Sequence, residues 1–338
     1  MCTKNKFIKS LSFILVLILL IAPLISISSS ASDIYGKDYY VGGMPFGVKL
    51  ISNGLTVVKF SEDIDNASSA SSSNIQIGDI IIKINGKSIK GYQDFSKIIE
   101  ESNGKPVEIT ILRKGKELTL NITPKYSEKD KKFKTGLWVK DSTTGIGTIT
   151  YVDPETGEFG GLGHGICDSL SGNVLSFNYG LVMDVSINGV NKGTKGTAGE
   201  LKGSFELRKL GTLVKNSECG VFGYLKNDKL SFPEKLKICP KKQVKCGDAY
   251  IWCSLDNGSP QKYSIKITEI TSNSDTKNFK IKVTDPQLLE KAGGIVQGMS
   301  GSPIIQDGKL VGAVTHVLIN DPTAGYGIFI ENMLKQTS

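Results

Sequence analysis

The stretch best suited to chemistry in this 338-residue chain is Gln297-Gly298-Met299-Ser300-Gly301-Ser302-Pro303. Glycines on either side of the serine permit a tight backbone path that aims the N–H groups of Gly298 and Ser300 at one point. Those donors would stabilise the oxyanion formed when the Ser300 hydroxyl attacks a carbonyl. A glycine turn that merely contains a serine is the plainer alternative. A serine at neutral pH needs a base, and the chain holds only two histidines, His164 and His316. His164 sits in Gly160-Gly161-Leu162-Gly163-His164-Gly165, where glycines leave the ring accessible, and it is the expected base. His316, mid-strand in Val314-Thr315-His316-Val317, reads as a core residue or the flank of a substrate pocket. To orient the imidazole, Asp168, Asp184, Asp248 and Asp285 are all eligible on chemistry, each with turn capping or solvation as its ordinary role. Cys167 is a conceivable nucleophile, but no oxyanion-hole turn surrounds it.

The elements that must position these groups divide the chain. From Gly136 onward, short apolar stretches alternate with glycine turns, and helices are expected only near Pro286–Lys291 and at the C-terminus, a pattern that favours an all-β barrel or sandwich. Upstream, Gly43-Met44-Pro45-Phe46-Gly47-Val48-Lys49-Leu50 leads to a strand at Leu55–Phe60, then a Ser/Asn/Asp-rich loop. Ile75-Gln76-Ile77-Gly78-Asp79-Ile80-Ile81-Ile82-Lys83-Ile84-Asn85-Gly86 reads as a turn, a buried strand and an Asn-Gly hairpin. Phe95, Ile98 and Ile99 have helical spacing, and Val107–Thr123 alternates as two strands. The Gly78–Gly86 string and this order resemble a bacterial PDZ domain. The resemblance implies that Met44, Pro45, Phe46 and Gly47 present backbone N–H groups to a peptide carboxylate, beside a groove that adds a peptide as an extra strand. The alternative is that these residues are core, in a PDZ fold docked within its own chain. Pro124–Thr135, dense in charge without apolar spacing, reads as a solvated linker. The expected organisation is a PDZ-like module over 36–123, a linker over 124–135 and a catalytic domain over 136–338.

Composition excludes some classes. The excess of 41 Lys+Arg over 33 Asp+Glu gives a net charge of +8, but only Arg113 and Arg208 are arginines and the lysines are scattered, which argues against nucleic-acid binding. Lys4, Lys6 and Lys9 precede an apolar run from Leu11 to about Ile27 and then Ser29-Ser30-Ala31. Residues 1–31 therefore read as an export signal or signal anchor, with the remainder outside the cytoplasm and membrane association through this segment. Beyond Cys2, Cys167, Cys219, Cys239, Cys246 and Cys253 are odd in number, so at least one is unpaired within the chain. Their spacing lacks a C-x-x-C pair, and neither a metal site nor a cofactor is expected.

The catalytic region also resembles a particular family, the stage IV B sporulation peptidases, which are PDZ-containing serine peptidases of endospore-forming bacteria. The resemblance rests on Gly136-Leu137-Trp138-Val139, Leu162-Gly163-His164, Thr284-Asp285-Pro286, Gly294 through Pro303, Gly312-Ala313-Val314-Thr315-His316-Val317 and Asn320-Asp321-Pro322-Thr323. It implies a mostly β chain in which the PDZ-like α+β module precedes a chymotrypsin-like double β-barrel, with His164, Asp285 and Ser300 as the catalytic triad in that order. It further implies self-cleavage and cutting of a membrane-bound regulator of an intramembrane metalloprotease, in the space between forespore and mother-cell membranes, so that a late sigma factor is activated. The PDZ module would hold the enzyme inactive and later guide substrate. The insert Ser68–Ser73 and the cysteines fall outside the family pattern. Two other functions compete: an inactive PDZ adaptor tethering a membrane partner, and a general envelope quality-control protease, although the latter usually carries PDZ after its protease domain.

Overall fold

A computed structural model describes residues 33–61, 73–113, 115–168, 172–226 and 231–337. The expected export segment, and Ser68–Ser73 except its last residue, lie outside the described residues. A short helix α1 (Asp33–Gly36) and strand β1 (Asp38–Val41) precede β2 (Pro45–Phe60), a strand of 16 residues. The PDZ module then follows the expected order: β3 (Ile80–Ile84), β4 (Lys87–Ser88), α2 (Tyr92–Glu101), β5 (Val107–Arg113) and β6 (Lys116–Ile122). Asn85 and Gly86 both take positive φ, 49° and 73°, as a two-residue hairpin with right-handed strand twist requires. Leu55, Val57, Ile81, Phe95, Ile99 and Ile111 form the core beneath α2. Asp79, only 1% exposed, explains the Gly-Asp signature. Its carboxylate accepts from Arg113 Nε at 2.7 Å, Arg113 Nη2 at 2.6 Å and the Gln76 N–H at 2.7 Å, so the turn before β3 is bolted to β5.

The stretch expected as a solvated linker is instead a small hairpin, β7 (Lys125–Ser127) with β8 (Lys132–Lys134). Tyr126 and Phe133 meet edge to face with centroids 5.3 Å apart, and Phe133 lies against Gly104 after α2. Two aromatics at opposed register positions anchor it, a signal that charge density hid.

Two barrels follow. The first uses β9 (Leu137–Val152), β10 (Glu158–Gly161), β11 (Tyr179–Asn191), β12 (Gly199–Ser217) and β13 (Gly220–Leu225). Its sixth strand is β2. The antiparallel pairings β2–β9, β9–β10, β10–β13, β13–β12, β12–β11 and β11–β2 return to their start. Phe46, Val48, Leu50, Ile149, Phe159 and Val182 fill it, and complete burial of a side chain such as Phe46 contributes about 1.5–3 kcal/mol.

After β14 (Lys235–Lys237), which pairs with β1, come β15 (Gly247–Cys253), β16 (Gln261–Ile270), β17 (Phe279–Val283), α3 (Pro286–Ala292), β18 (Val296–Gln297), β19 (Pro303–Gln306), β20 (Lys309–Leu318), β21 (Asp321–Phe329) and α4 (Ile330–Leu334). Strands β15, β16, β17, β21, β20 and β19 close the second barrel around Ile251, Ile265, Ile281, Ile304 and Val314. Among the described residues the five cysteines are unpaired; Cys167 and Cys246 are exposed, and Cys219, Cys239 and Cys253 are buried.

Candidate active site

The turn between β18 and β19 is held from outside by β9. Thr148 N–H donates to the Ser300 carbonyl at 2.8 Å, Thr148 Oγ1 to the Gly298 carbonyl at 2.8 Å, and Thr150 Oγ1 to the Gly301 carbonyl at 2.7 Å. From the other side Gly301 N–H donates to the Val314 carbonyl at 2.7 Å, and Ser302 Oγ to the Met299 carbonyl at 2.6 Å. The carbonyls are therefore occupied, whereas the N–H groups of Gly298 and Ser300 donate to no other group among the described residues. Two unclaimed donors on one turn are what stabilisation of an oxyanion would require. The glycines are needed: both have positive φ, 98° at Gly298 and 96° at Gly301, and a Cβ on Gly301 would stand 2.0 Å from the Thr148 carbonyl oxygen. Met299 and Ser302 are buried and Ser300 is half-buried, so the turn presents one hydroxyl.

His164 follows β10 on a loop with left-handed residues at Leu162 (φ 65°) and Gly163 (φ 67°). Its glycines serve close packing more than ring access. A Cβ on Gly163 would meet Thr315 Cγ2 at 3.0 Å, and one on Gly165 the Ser217 carbonyl at 2.7 Å. Gly301 lies equally close to Leu162, whose N is 2.5 Å from its would-be Cβ. The His164 loop of the first barrel and the Ser300 turn of the second thus touch at the barrel junction. His164 Nδ1 lies 2.9 Å from the Gly165 carbonyl; as donor there, it leaves the lone pair on Nε2 for a proton. Burial lowers the His164 pKa, with the Gly165 hydrogen bond opposing, so the ring is neutral and basic at neutral pH.

Ser300 Oγ–H donates to the Thr315 carbonyl at 2.7 Å, the residue before His316. His316 is exposed on β20 rather than a core residue, and its ring lies 4.8 Å from that of His164, centroid to centroid, at 36°. Desolvation, then the charge of His164, then Lys277 hold His316 at about 4.

Two expectations need correction. Asp285 does not orient His164 in this structure: it is the N-cap of α3, accepting from Gln287 N–H at 2.9 Å and Leu288 N–H at 3.1 Å, while its other oxygen accepts from Ser264 N–H at 3.1 Å. Asp-Pro is a strong helix start, and that local role claims the carboxylate. Among the described residues no carboxylate hydrogen-bonds to either imidazole, and of the rival acids Asp184 pairs with Arg208. Nor do Met44, Pro45, Phe46 and Gly47 form a carboxylate loop. Pro45–Gly47 lie opposite Thr148–Ile146 in the first barrel, Phe46 is fully buried, and Met44 O accepts from Ile149 N–H at 3.0 Å. The stretch Thr56–Phe60 is already paired with Leu137–Lys140 of β9, so part of this chain takes the place of an added strand. A cleft of about 560 Å³ remains there, lined by Tyr92, Phe95, Ile99, Phe133, Leu137 and Trp138. Thr148 and Thr150 escaped sequence reasoning; two threonines on one face of the apolar, buried end of β9 were the available signal.

A PDZ module joined to two six-stranded barrels, with the Ser300 turn and the His164 loop meeting at their junction, defines a PDZ-containing serine peptidase of chymotrypsin-like architecture. The family model for SpoIVB peptidase S55 matches residues 131–334, well over half the chain, and a PDZ-domain model matches 42–123. The chain belongs to the SpoIVB peptidase S55 family. Similar curated proteins include a putative zinc metalloprotease of Bartonella henselae, 32% identical over 88 residues, which are 26% of this chain and 24% of that protein. The regulator of sigma-E protease RseP of Salmonella typhimurium is 32% identical over 62 residues, 18% of this chain and 14% of that one. The chain thus spans a quarter or less of these relatives' length. Among solved structures, the active form of the Rv3671c protease from M. tuberculosis aligns at 15% identity and a TM-score of 0.35, covering 57% of this chain and 73% of that chain.

Proposed function

We propose that this peptidase is an exported sporulation signalling enzyme that cleaves itself and then a membrane-bound regulator of an intramembrane metalloprotease, in the space between the two spore membranes. The reading rests on family membership, on the lysine-flanked apolar segment before residue 32, and above all on one observation: Ser300 stands beside two unclaimed N–H donors and the His164 loop. In the reaction, Ser300 Oγ turns from the Thr315 carbonyl toward His164 and gives up its proton to Nε2 as it attacks the scissile carbonyl. The Gly298 and Ser300 N–H groups receive the oxyanion. The imidazolium then protonates the leaving amine, and water activated by the same base releases the acyl group. Thr315 O, freed by this turn, is left to accept an N–H of the extended substrate. The resting hydrogen bond therefore keeps the nucleophile unprimed until a substrate competes for its acceptor. The PDZ module, already paired with β9, acts as part of the enzyme body; the cleft beside α2 is its remaining surface for guiding a partner.

The test is fragment mass spectrometry of pure wild-type and Ser300→Ala protein, alone and with the regulator's extracytoplasmic segment. Ser300-dependent cuts in both chains are expected. Identical fragments from the two proteins would remove the peptidase step, and self-cleavage without regulator cleavage would remove the signalling assignment.

A further inference from the structure

We propose that His164 and His316 together form an inhibitory site for a divalent transition-metal ion of the Zn²⁺ class, clamped between the two barrels across the catalytic junction. The chain's only two histidines are brought together from different barrels, His164 from the loop after β10 and His316 from β20. Their ring centroids are 4.8 Å apart. A Zn–N bond of about 2.0–2.1 Å on each side spans such a pair with a modest turn of the exposed His316 ring.

The donors are prepared for a metal. Nδ1–H of His164 is anchored on the Gly165 carbonyl, the backbone partner that characteristically fixes the tautomer and orientation of a metal-binding imidazole and leaves Nε2 free. His316 is paired through its backbone with Tyr326, and its imidazole makes no side-chain hydrogen bond among the described residues. Because His316 is exposed, water reaches the remaining coordination positions, and Ser300 Oγ, bonded to the residue before His316, borders them.

Two features limit affinity. No group of three or more His, Cys, Asp or Glu side chains converges anywhere among the described residues, so the protein supplies two strong ligands. Lys277, the cation that acts on His316, opposes a second positive charge. Both fit a reversible inhibitor, not a resident cofactor. An ion on Nε2 of His164 takes the lone pair needed for proton abstraction, so inhibition rests on the peptidase reading above, whereas binding does not.

The experiment uses the full chain without an affinity tag. Zn²⁺ is titrated into wild type and His316→Ala while peptide cleavage is followed, and into Ser300→Ala with and without His316→Ala by calorimetry, where self-cleavage is absent. In wild type, Zn²⁺ should suppress cleavage by at least roughly tenfold and a chelator should restore it. Measured against its own metal-free rate, His316→Ala should raise the half-inhibiting concentration at least roughly tenfold. Calorimetry should give one ion per chain, lost with His316. Equal inhibition and binding with and without His316, or no binding to Ser300→Ala, would overturn the site. Absent cleavage in every form together with His316-dependent binding would leave the site standing and remove the peptidase reading.

Discussion

Replacing Thr148 by Val tests how the oxyanion turn is held. Thr148 is 2% exposed, and its hydroxyl donates to the Gly298 carbonyl at 2.8 Å. Valine keeps the shape and removes that donor, leaving a buried carbonyl short of a partner at a cost of about 1–3 kcal/mol. Relief comes by rotation about Gly298, whose glycine backbone resists least, and rotation swings the Gly298 N–H off the oxyanion. Loss of one such donor costs about 10²–10³ in kcat; a turn still pinned by Thr150 and by the Thr148 N–H should lose less, roughly ten- to a hundredfold. The expected result from steady-state kinetics on a peptide substrate is a fall in kcat of that size with KM little changed. Thr148→Ser, which keeps the hydroxyl, should recover most of it, and thermal unfolding on the same samples separates misalignment from unfolding. A Thr148→Val kcat within about twofold of wild type, or a serine variant as impaired as the valine one, would refute the account.

Four further outcomes follow from the geometry. The His164 pKa is lowered by burial, so in chelator-containing buffer the acid limb of kcat/KM should have its midpoint below the ordinary histidine value of about 6.5, with activity present above it and lost as pH falls through it; a midpoint at or above that value would contradict the buried neutral base. Since folding depresses both histidine pKa values, the stability they allow at neutral pH is lost as pH falls, for His316 between about 6.5 and about 4, and His316→Gln should flatten that slope in pH-dependent denaturation. Asp285→Ala should cost about 0.5–2 kcal/mol in chemical denaturation while Asp285→Asn costs far less, because asparagine caps as well as aspartate; equal losses would count against the cap. Asp79→Ala leaves Arg113 without its buried partner and should destabilise the protein by about 3–5 kcal/mol, which a urea titration would detect as an earlier unfolding of the PDZ core.

What could be seen in advance depended on whether a residue's role is local. The Gly298–Gly301 turn was legible because its conformation is dictated by its own glycines, and His164 stood out as a candidate base because the chain has only two histidines. The Gly78–Gly86 string was readable largely for the same reason, since the Asn85-Gly86 turn is set by its own residues, although Asp79 also reaches to Arg113 on β5. Roles set by distant pairing were not. The alternation of Phe46, Val48 and Leu50 is the same whether these residues line a peptide groove or a barrel wall, and only their pairing with β9 and β11 decides. Asp285 before Pro286 satisfies the pattern of a helix start and that of a triad acid alike. The meeting of His316 with His164 depends on how β20 approaches a loop about 150 residues upstream, which no local pattern encodes.

The sharing of β2 bears on how this chain can be taken apart. A truncated chain begun at the β7–β8 hairpin to obtain an isolated catalytic half would lack Pro45–Ile51, one of the six staves of the first barrel, and with it the support that β9 needs to grip the nucleophile turn. The two halves cannot be traded like cassettes; any active fragment must carry this stave or be given it back as a separate peptide.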